Sequence, residues 1–164
     1  MLKTMQSGGQ LRNTASTEES SSESSQNENS ELTTLLLELK GSKVSKAQLR
    51  EKIFNALYDS ATDKPEVGKF YFFEYDPKYK DILKKWDEYP LIKLMEIKRD
   101  RLLGANFHYI NTRARLNALN TEEAPMSTLR YYIPKNADNL FFEIPEEDMQ
   151  AMSQLPLEQF HTNR

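Results

Sequence analysis

The sequence predicts a small α+β fold, either a curled antiparallel sheet or a partly open SH3-like barrel, that carries short helices. Three observations support this class. An aromatic run, "KFYFFEY" at residues 69–75, has the composition and length of a strand. Several further short apolar segments follow it, separated by charged turns, Gly or Pro. Closing or curling such a sheet would protect its aromatic edges from water.

Residues 1–30 are predicted to form a disordered tail. They are rich in Ser, Glu, Asn and Gln and have almost no apolar residue after Leu11. Such a segment buries too little apolar surface to offset the entropy lost on ordering the chain.

Residues 31–62 are predicted to be a helical tether. Residues 31–42 form a weak helix that stops at Gly41, and a stronger helix covers about 46–59, where Ser45 and Gln48 have the spacing of a capping box. One face of the second helix is apolar. That face either covers the core of the domain or binds a partner protein; the candidate partner-binding residues are Leu49, Ile53, Phe54 and Leu57.

Residues 66–164 are predicted to form the folded core domain. In the strand at 69–75, Phe70 and Phe72 share one face, whereas Tyr71, Phe73 and Tyr75 share the other. Aromatic residues on both faces predict that this strand is covered on both sides.

The remaining elements of the core domain follow from short apolar segments and their boundaries. Gly104 lies inside one predicted strand, which indicates a bulge or a close approach of two backbones. Pro145 and the acidic residues after it open a helical turn. The predicted strands are 90–97, 102–110 and 139–144, the helix is 111–120, and 127–133 is ambiguous.

Several classes of site find little support in the sequence. There are no cysteines and only two histidines, His108 and His161, without metal-ligand spacing. A packed, hydrogen-bonded role suits His108 better than a catalytic one. The neighbouring carboxylates at 74 and 76, or at 146–148, are better explained by a turn and a helix start than by a divalent cation. We therefore expect no enzyme, no cofactor, no small-molecule substrate and no membrane segment.

The middle of the chain is basic. Residues 78–115 carry 10 basic and 5 acidic side chains, whereas residues 116–164 carry 3 and 8. Lysine and arginine neutralise phosphates, and exposed aromatic rings stack on bases, so this mixture is typical of a nucleic-acid interface. The alternative is that the basic and acidic segments neutralise each other across the fold. The candidate nucleic-acid-binding residues are Lys78, Lys80, Lys84, Lys85, Lys98, Arg99, Arg101, Arg113 and Arg115.

Three segments carry a resemblance to a known family. They are "GKFYFFEYDPKYKDILKKWDEYPLI", "LLGANFHYINTRARL" and "FFEIPEEDMQAMSQLPLEQF". In order and spacing they resemble the DNA end protector or head-completion proteins of T-even-like phages. The resemblance covers roughly residues 68–160. Its most specific elements are the Tyr-Asp-Pro-Lys turn at 75–78 and the Asn-x-His-Tyr segment at 106–109.

The resemblance implies a virion protein, made in the host cytoplasm, that has no catalytic role. It would bind the end of the packaged double-stranded DNA, shield it from nucleases and contact other virion proteins. The alternative is a structural neck, tail or baseplate component that makes only protein–protein contacts.

Overall fold

The computed structural model describes residues 32–163, and the predicted disordered tail lies outside the described residues. This part of the chain contains four short α-helices and eight short strands. The helices are α1 (32–39), α2 (Lys46–Ala56), α3 (Thr112–Leu119) and α4 (Met149–Ser153). The strands are β1 (Ala61–Thr62), β2 (Phe70–Phe72), β3 (Lys85–Asp87), β4 (Leu91–Ile97), β5 (Leu102–Asn106), β6 (Leu129–Tyr132), β7 (Phe141–Ile144) and β8 (Phe160–Thr162).

Six strands form one antiparallel sheet in the order β1-β7-β2-β4-β5-β6, and β3 pairs with β8 in a separate two-stranded ribbon. The predicted α+β class is confirmed, with the sheet open rather than closed into a barrel. Strand β7 comes late in the chain, yet it lies between β1 and β2. The centre of the sheet therefore combines residues that are far apart in sequence.

Strand β2 is buried on both faces, as its alternating aromatic residues predict. Phe70 and Phe72 belong to a core that also contains residues of the helices. Tyr71 and Phe73 belong to a second core on the other side of the sheet, where Phe73 packs edge-on against Phe141 at 5.0 Å between ring centroids. The one polar side-chain group of β2 is the Tyr71 hydroxyl, which accepts a hydrogen bond from the backbone N–H of Glu66 at 2.7 Å.

Helices α1 and α2 pack on the sheet and do not form a separate tether. Leu49, Ile53 and Leu57 are buried in the same core as Phe72, and the Phe54 ring stacks on the Phe72 ring at 4.6 Å. The chain's own core covers Leu49, Ile53 and Leu57 fully and Phe54 in part, which favours the alternative that this face covers the core of the domain. The capping box of Ser45 and Gln48 forms as predicted.

Strands β2 and β4 are the base of a hairpin that continues beyond the sheet. The backbone N–H groups of Phe73 and Tyr75 donate to the carbonyls of Pro90 and Glu88. Residues 76–84 close this hairpin, and we call them the tip loop. Farther along the sheet, the register of β4 against β5 shifts between Leu94 and Glu96, opposite Gly104, so the predicted bulge is confirmed. A Cβ at Gly104 would lie 2.7 Å from Ile92 Cδ1, so the absence of a side chain also leaves room for Ile92.

Within residues 32–163, every helix is too short or too polar to cross a bilayer.

Candidate nucleic-acid interface

The tip loop and the start of β3 carry four exposed lysines: Lys78, Lys80, Lys84 and Lys85. Lys80 Nζ lies 2.8 Å from Asp76 Oδ1, and the hydrogen bond to this carboxylate raises the pKa of Lys80. Lys85 Nζ lies 4.1 Å above the centre of the Phe160 ring. Lys84 has no ion-pair partner among the described residues. The structure therefore brings these four predicted residues together on one accessible surface.

The same loop exposes apolar side chains. Tyr79, Ile82 and Leu83 are 60%, 79% and 37% exposed. The loop is nevertheless fixed by hydrogen bonds, because Asn163 Nδ2 donates to the carbonyls of Lys80 and Leu83 at 2.5 and 2.6 Å. A turn bond from Ile82 N–H to the Tyr79 carbonyl adds to this. Apolar side chains are thus exposed to solvent on a loop that hydrogen bonds keep in place, with lysines on both sides of them.

The ribbon of β3 and β8 lies next to the tip loop. Trp86 is half-buried, and its ring stacks on the ring of His161 at 4.3 Å between centroids. His161 Nε2 is bonded to Glu88 Oε2 at 2.8 Å. These side chains line a cleft of about 510 Å³, which Glu74, Asp76 and Lys80 also line. Because three carboxylates face this cleft, it does not suit a phosphate.

A second basic group occupies the turn between β4 and β5. Lys98, Arg99 and Arg101 line a cleft of about 360 Å³ together with Lys64 and with two carboxylates, Asp63 and Asp100. Lys98 pairs with Glu96 at 3.3 Å, and the Arg101 guanidinium lies 4.2 Å from the Tyr131 ring centre. Strand β4 runs between this turn and the end of the β2–β4 hairpin that leads to the tip loop, a distance of about 20 Å. Seven of the nine predicted basic residues therefore form two groups at opposite ends of this strand.

Arg113 and Arg115 differ in exposure, because a spacing of two residues places them on nearly opposite faces of α3. Arg113 is exposed on the first turn of α3. Arg115 is only 5% exposed, and its guanidinium donates to the carbonyls of Ile110 at 2.9 Å and Ser153 at 2.8 Å. Burial lowers the pKa of Arg115. The assignment of Arg115 to the nucleic-acid interface is wrong, because its donors hold the backbone together.

A buried polar network lies behind β3. Asp87 Oδ2 is 2.7 Å from His108 Nδ1 and accepts from Asn106 Nδ2 at 3.0 Å, while Oδ1 accepts from the backbone of Tyr89 and Gln159. Burial raises the pKa of Asp87, but the hydrogen bond and attraction of His108, together with the other donors, bring it below its ordinary value. The packed role predicted for His108 is confirmed.

Sequence reasoning did not find three features of this region. It gave Asp87 no role, because most of the donors that converge on it come from distant segments: the end of β5, the turn directly after β5 and the residue before β8. It did not find the exposure of Ile82 or the contacts of Asn163, which connect residues about 80 positions apart. A signal existed only for Ile82 and Leu83, as two apolar residues between lysines in "YKDILKK".

The paired carboxylates do not assemble into a metal centre in the described part of the chain. No group of three or more His, Asp or Glu side chains among residues 32–163 is placed to hold an ion. Asp148 instead accepts a hydrogen bond from the Thr33 hydroxyl at 2.6 Å, and burial raises the pKa of Asp148.

Comparison with known proteins identifies a family. No curated protein and no solved structure matches the chain significantly. Residues 31–124, more than half of the chain, match the family model of the phage T4 terminal DNA protecting protein. The match includes α1, α2, the tip loop and both basic groups, whereas the resembling segment at 155–160 lies outside it. The chain belongs to the family of the phage T4 terminal DNA protecting protein.

Proposed function

We propose that this protein binds the ends of double-stranded phage DNA and shields them from nucleases without catalysing a reaction. The observation that carries the proposal is the family match over residues 31–124, since the family is described by its protection of terminal DNA. A protein that protects packaged ends must stay with them, so we place it in the virion beside other virion proteins.

The tip loop is the surface that best suits this role. Four lysines lie within eight residues, are exposed, and are opposed in the loop by only Asp76 and Asp81. Exposed lysines neutralise phosphates and release condensed counterions, which makes DNA binding strongly dependent on salt. The turn at 98–101 and Arg113 would add phosphate contacts elsewhere on the molecule.

The test replaces the three tip-region lysines that lack a carboxylate partner, in the variant Lys78→Gln/Lys84→Gln/Lys85→Gln. Lys80 is kept because its bond to Asp76 belongs to the loop. The matched control is Lys40→Gln/Lys43→Gln/Lys52→Gln, three exposed lysines in the helical part of the chain. Affinity for a linear duplex is measured over a range of salt concentrations, and exonuclease digestion of that duplex measures shielding.

Wild type and the control should protect the duplex, with affinity falling steeply as salt rises. The tip variant should protect it less, and its log–log salt slope should be smaller by up to about 3 units, since each phosphate contact contributes about 0.9. If wild type does not bind linear duplex DNA at low salt, end binding is wrong and the alternative of a purely structural virion component stands. Equal slopes for wild type and the tip variant would place the interface elsewhere.

A further inference from the structure

We propose that the apolar side chains of the tip loop, Tyr79 and Ile82 with Leu83 beside them, stack on the terminal base pair of the duplex. This inference rests on the proposed function and adds to it the part of the DNA that is recognised. It assigns the preference for ends to these side chains, and the general affinity for DNA to the lysines.

Exposure and order together point to a contact surface. Tyr79 and Ile82 are 60% and 79% exposed, and the loop that holds them is bonded to Asn163 at two carbonyls and at the backbone of Lys84. The turn bond from Ile82 N–H to the Tyr79 carbonyl brings these two positions close together, and exposed apolar groups clustered on a folded protein indicate an interaction site. Since the loop is already ordered, little conformational entropy would be lost when these side chains bind.

The chemistry around the apolar groups selects DNA as the occupant. Lys78 Nζ lies 5.2 Å from the centre of the Tyr79 ring, and Lys84 and Lys85 follow directly after Leu83. Apolar contact at the centre and positive charge around it match a base pair bordered by its phosphates. If the partner were instead a protein with an apolar groove, binding to it would not require four lysines around these side chains.

The physical cost of stacking differs between the end and the interior of a duplex. Side chains such as Ile and Leu enter the interior only by separating stacked bases, which costs a few kilocalories per mole for each step. The last base pair already has one face open to water, so a ring or an aliphatic group can cover it without that cost. The tip loop would therefore distinguish an end from an interior site without reading sequence.

The experiment compares two probes of identical sequence: a 30-base-pair duplex with open ends, and the same duplex with both ends closed by covalent loops. Wild type should bind the open duplex more tightly. The variant Tyr79→Ala/Ile82→Ala should lose roughly 5- to 100-fold of affinity for the open duplex, in line with the effect of removing one stacked base contact. Its affinity for the closed duplex should stay within about twofold of wild type, because the lysines remain.

Two further variants make the result specific. The control Leu37→Ala/Tyr58→Ala removes one aliphatic and one aromatic side chain of similar exposure, 68% and 74%, and should keep the preference for open ends. Tyr79→Phe/Ile82→Leu should keep it as well, since the stacking surface remains. Thermal melting checks that each variant is folded.

The outcomes separate this inference from the proposed function. If wild type prefers the open duplex and the double alanine variant retains that preference, the stacking role is overturned while end binding stands. A wild type that binds open and closed probes equally overturns stacking and end recognition together but leaves DNA binding. Failure of wild type to bind either probe overturns the proposed function itself.

Discussion

The tip loop and the network behind β3 are neighbours in the chain, yet they place charged groups in opposite environments. The lysines of the tip loop are exposed, and only Lys80 has a carboxylate partner in the part of the chain that the structure describes. Asp87 is buried and accepts from two side chains and two backbone N–H groups. Charge at the first site is available to a ligand, whereas charge at the second holds segments of the fold together. Substitutions at the first site are therefore tested by DNA binding, and substitutions at the second by the stability of the fold.

The largest difference between the two regions should appear on loss of a carboxylate. We expect Asp87→Ala to lower the free energy of unfolding by about 3–5 kcal/mol, because His108 and Asn106 would keep buried polar atoms without their partner. Asp81→Ala, in the exposed tip loop, should change it by no more than about 0.5 kcal/mol. Urea denaturation measures both. Similar small losses in the two variants would mean that the network does not stabilise the fold.

A smaller difference is expected between the two arginines of α3. Arg115→Ala leaves buried backbone carbonyls without donors and should cost roughly 1.5–3 kcal/mol of stability. Arg113→Ala should be nearly neutral for stability, because Arg113 is exposed. Urea midpoints and the salt slope of DNA binding should be measured for both. A stable Arg115→Ala protein with weakened DNA binding would restore Arg115 to the interface.

The smallest effect is a pH dependence of the contribution of Asp87. Its folded-state pKa lies below the unfolded value of about 3.9, so the charged form stabilises the protein above that pH. The contribution of Asp87, taken as the stability difference between wild type and Asp87→Asn, should therefore be fully present near pH 5, above the unfolded pKa. It should shrink as the pH falls through 3.9 toward the folded pKa. Urea midpoints at a series of pH values give this difference, and a constant difference down to pH 2 would contradict the depressed pKa.

Local patterns predicted much of the fold. The alternation in "FYFFEY" gave the two-sided burial of β2, the spacing of Ser45 and Gln48 gave the start of α2, and Gly104 gave the bulge between β4 and β5. Each of these depends on neighbouring residues. The insertion of β7 between β1 and β2 was not predictable, because no local signal specifies which strand an edge will accept.

The candidate site was predictable in part. The positive excess of the middle segment gave the lysines of the tip loop, and these are exposed as expected. Composition could not separate Arg113 from Arg115, because burial depends on the α4 segment that packs against α3. Composition also could not show that the basic residues lie in two groups. Their separation depends on the length of β4, which has one group at the turn to β5 and the other on the hairpin that extends from its first residue.

The position of β7 has a consequence for how the protein forms. During synthesis the hairpin of β2 and β4 can pair with β5 early, since these strands are close in sequence. One edge of β2 stays open until residues 141–144 are made and Phe142 pairs with Phe72. Closing such a long loop is slow, and an open aromatic edge invites association with other chains. A fragment limited to residues 31–124 would keep that edge permanently, so dissection of this protein must retain β7 to yield a monomeric product.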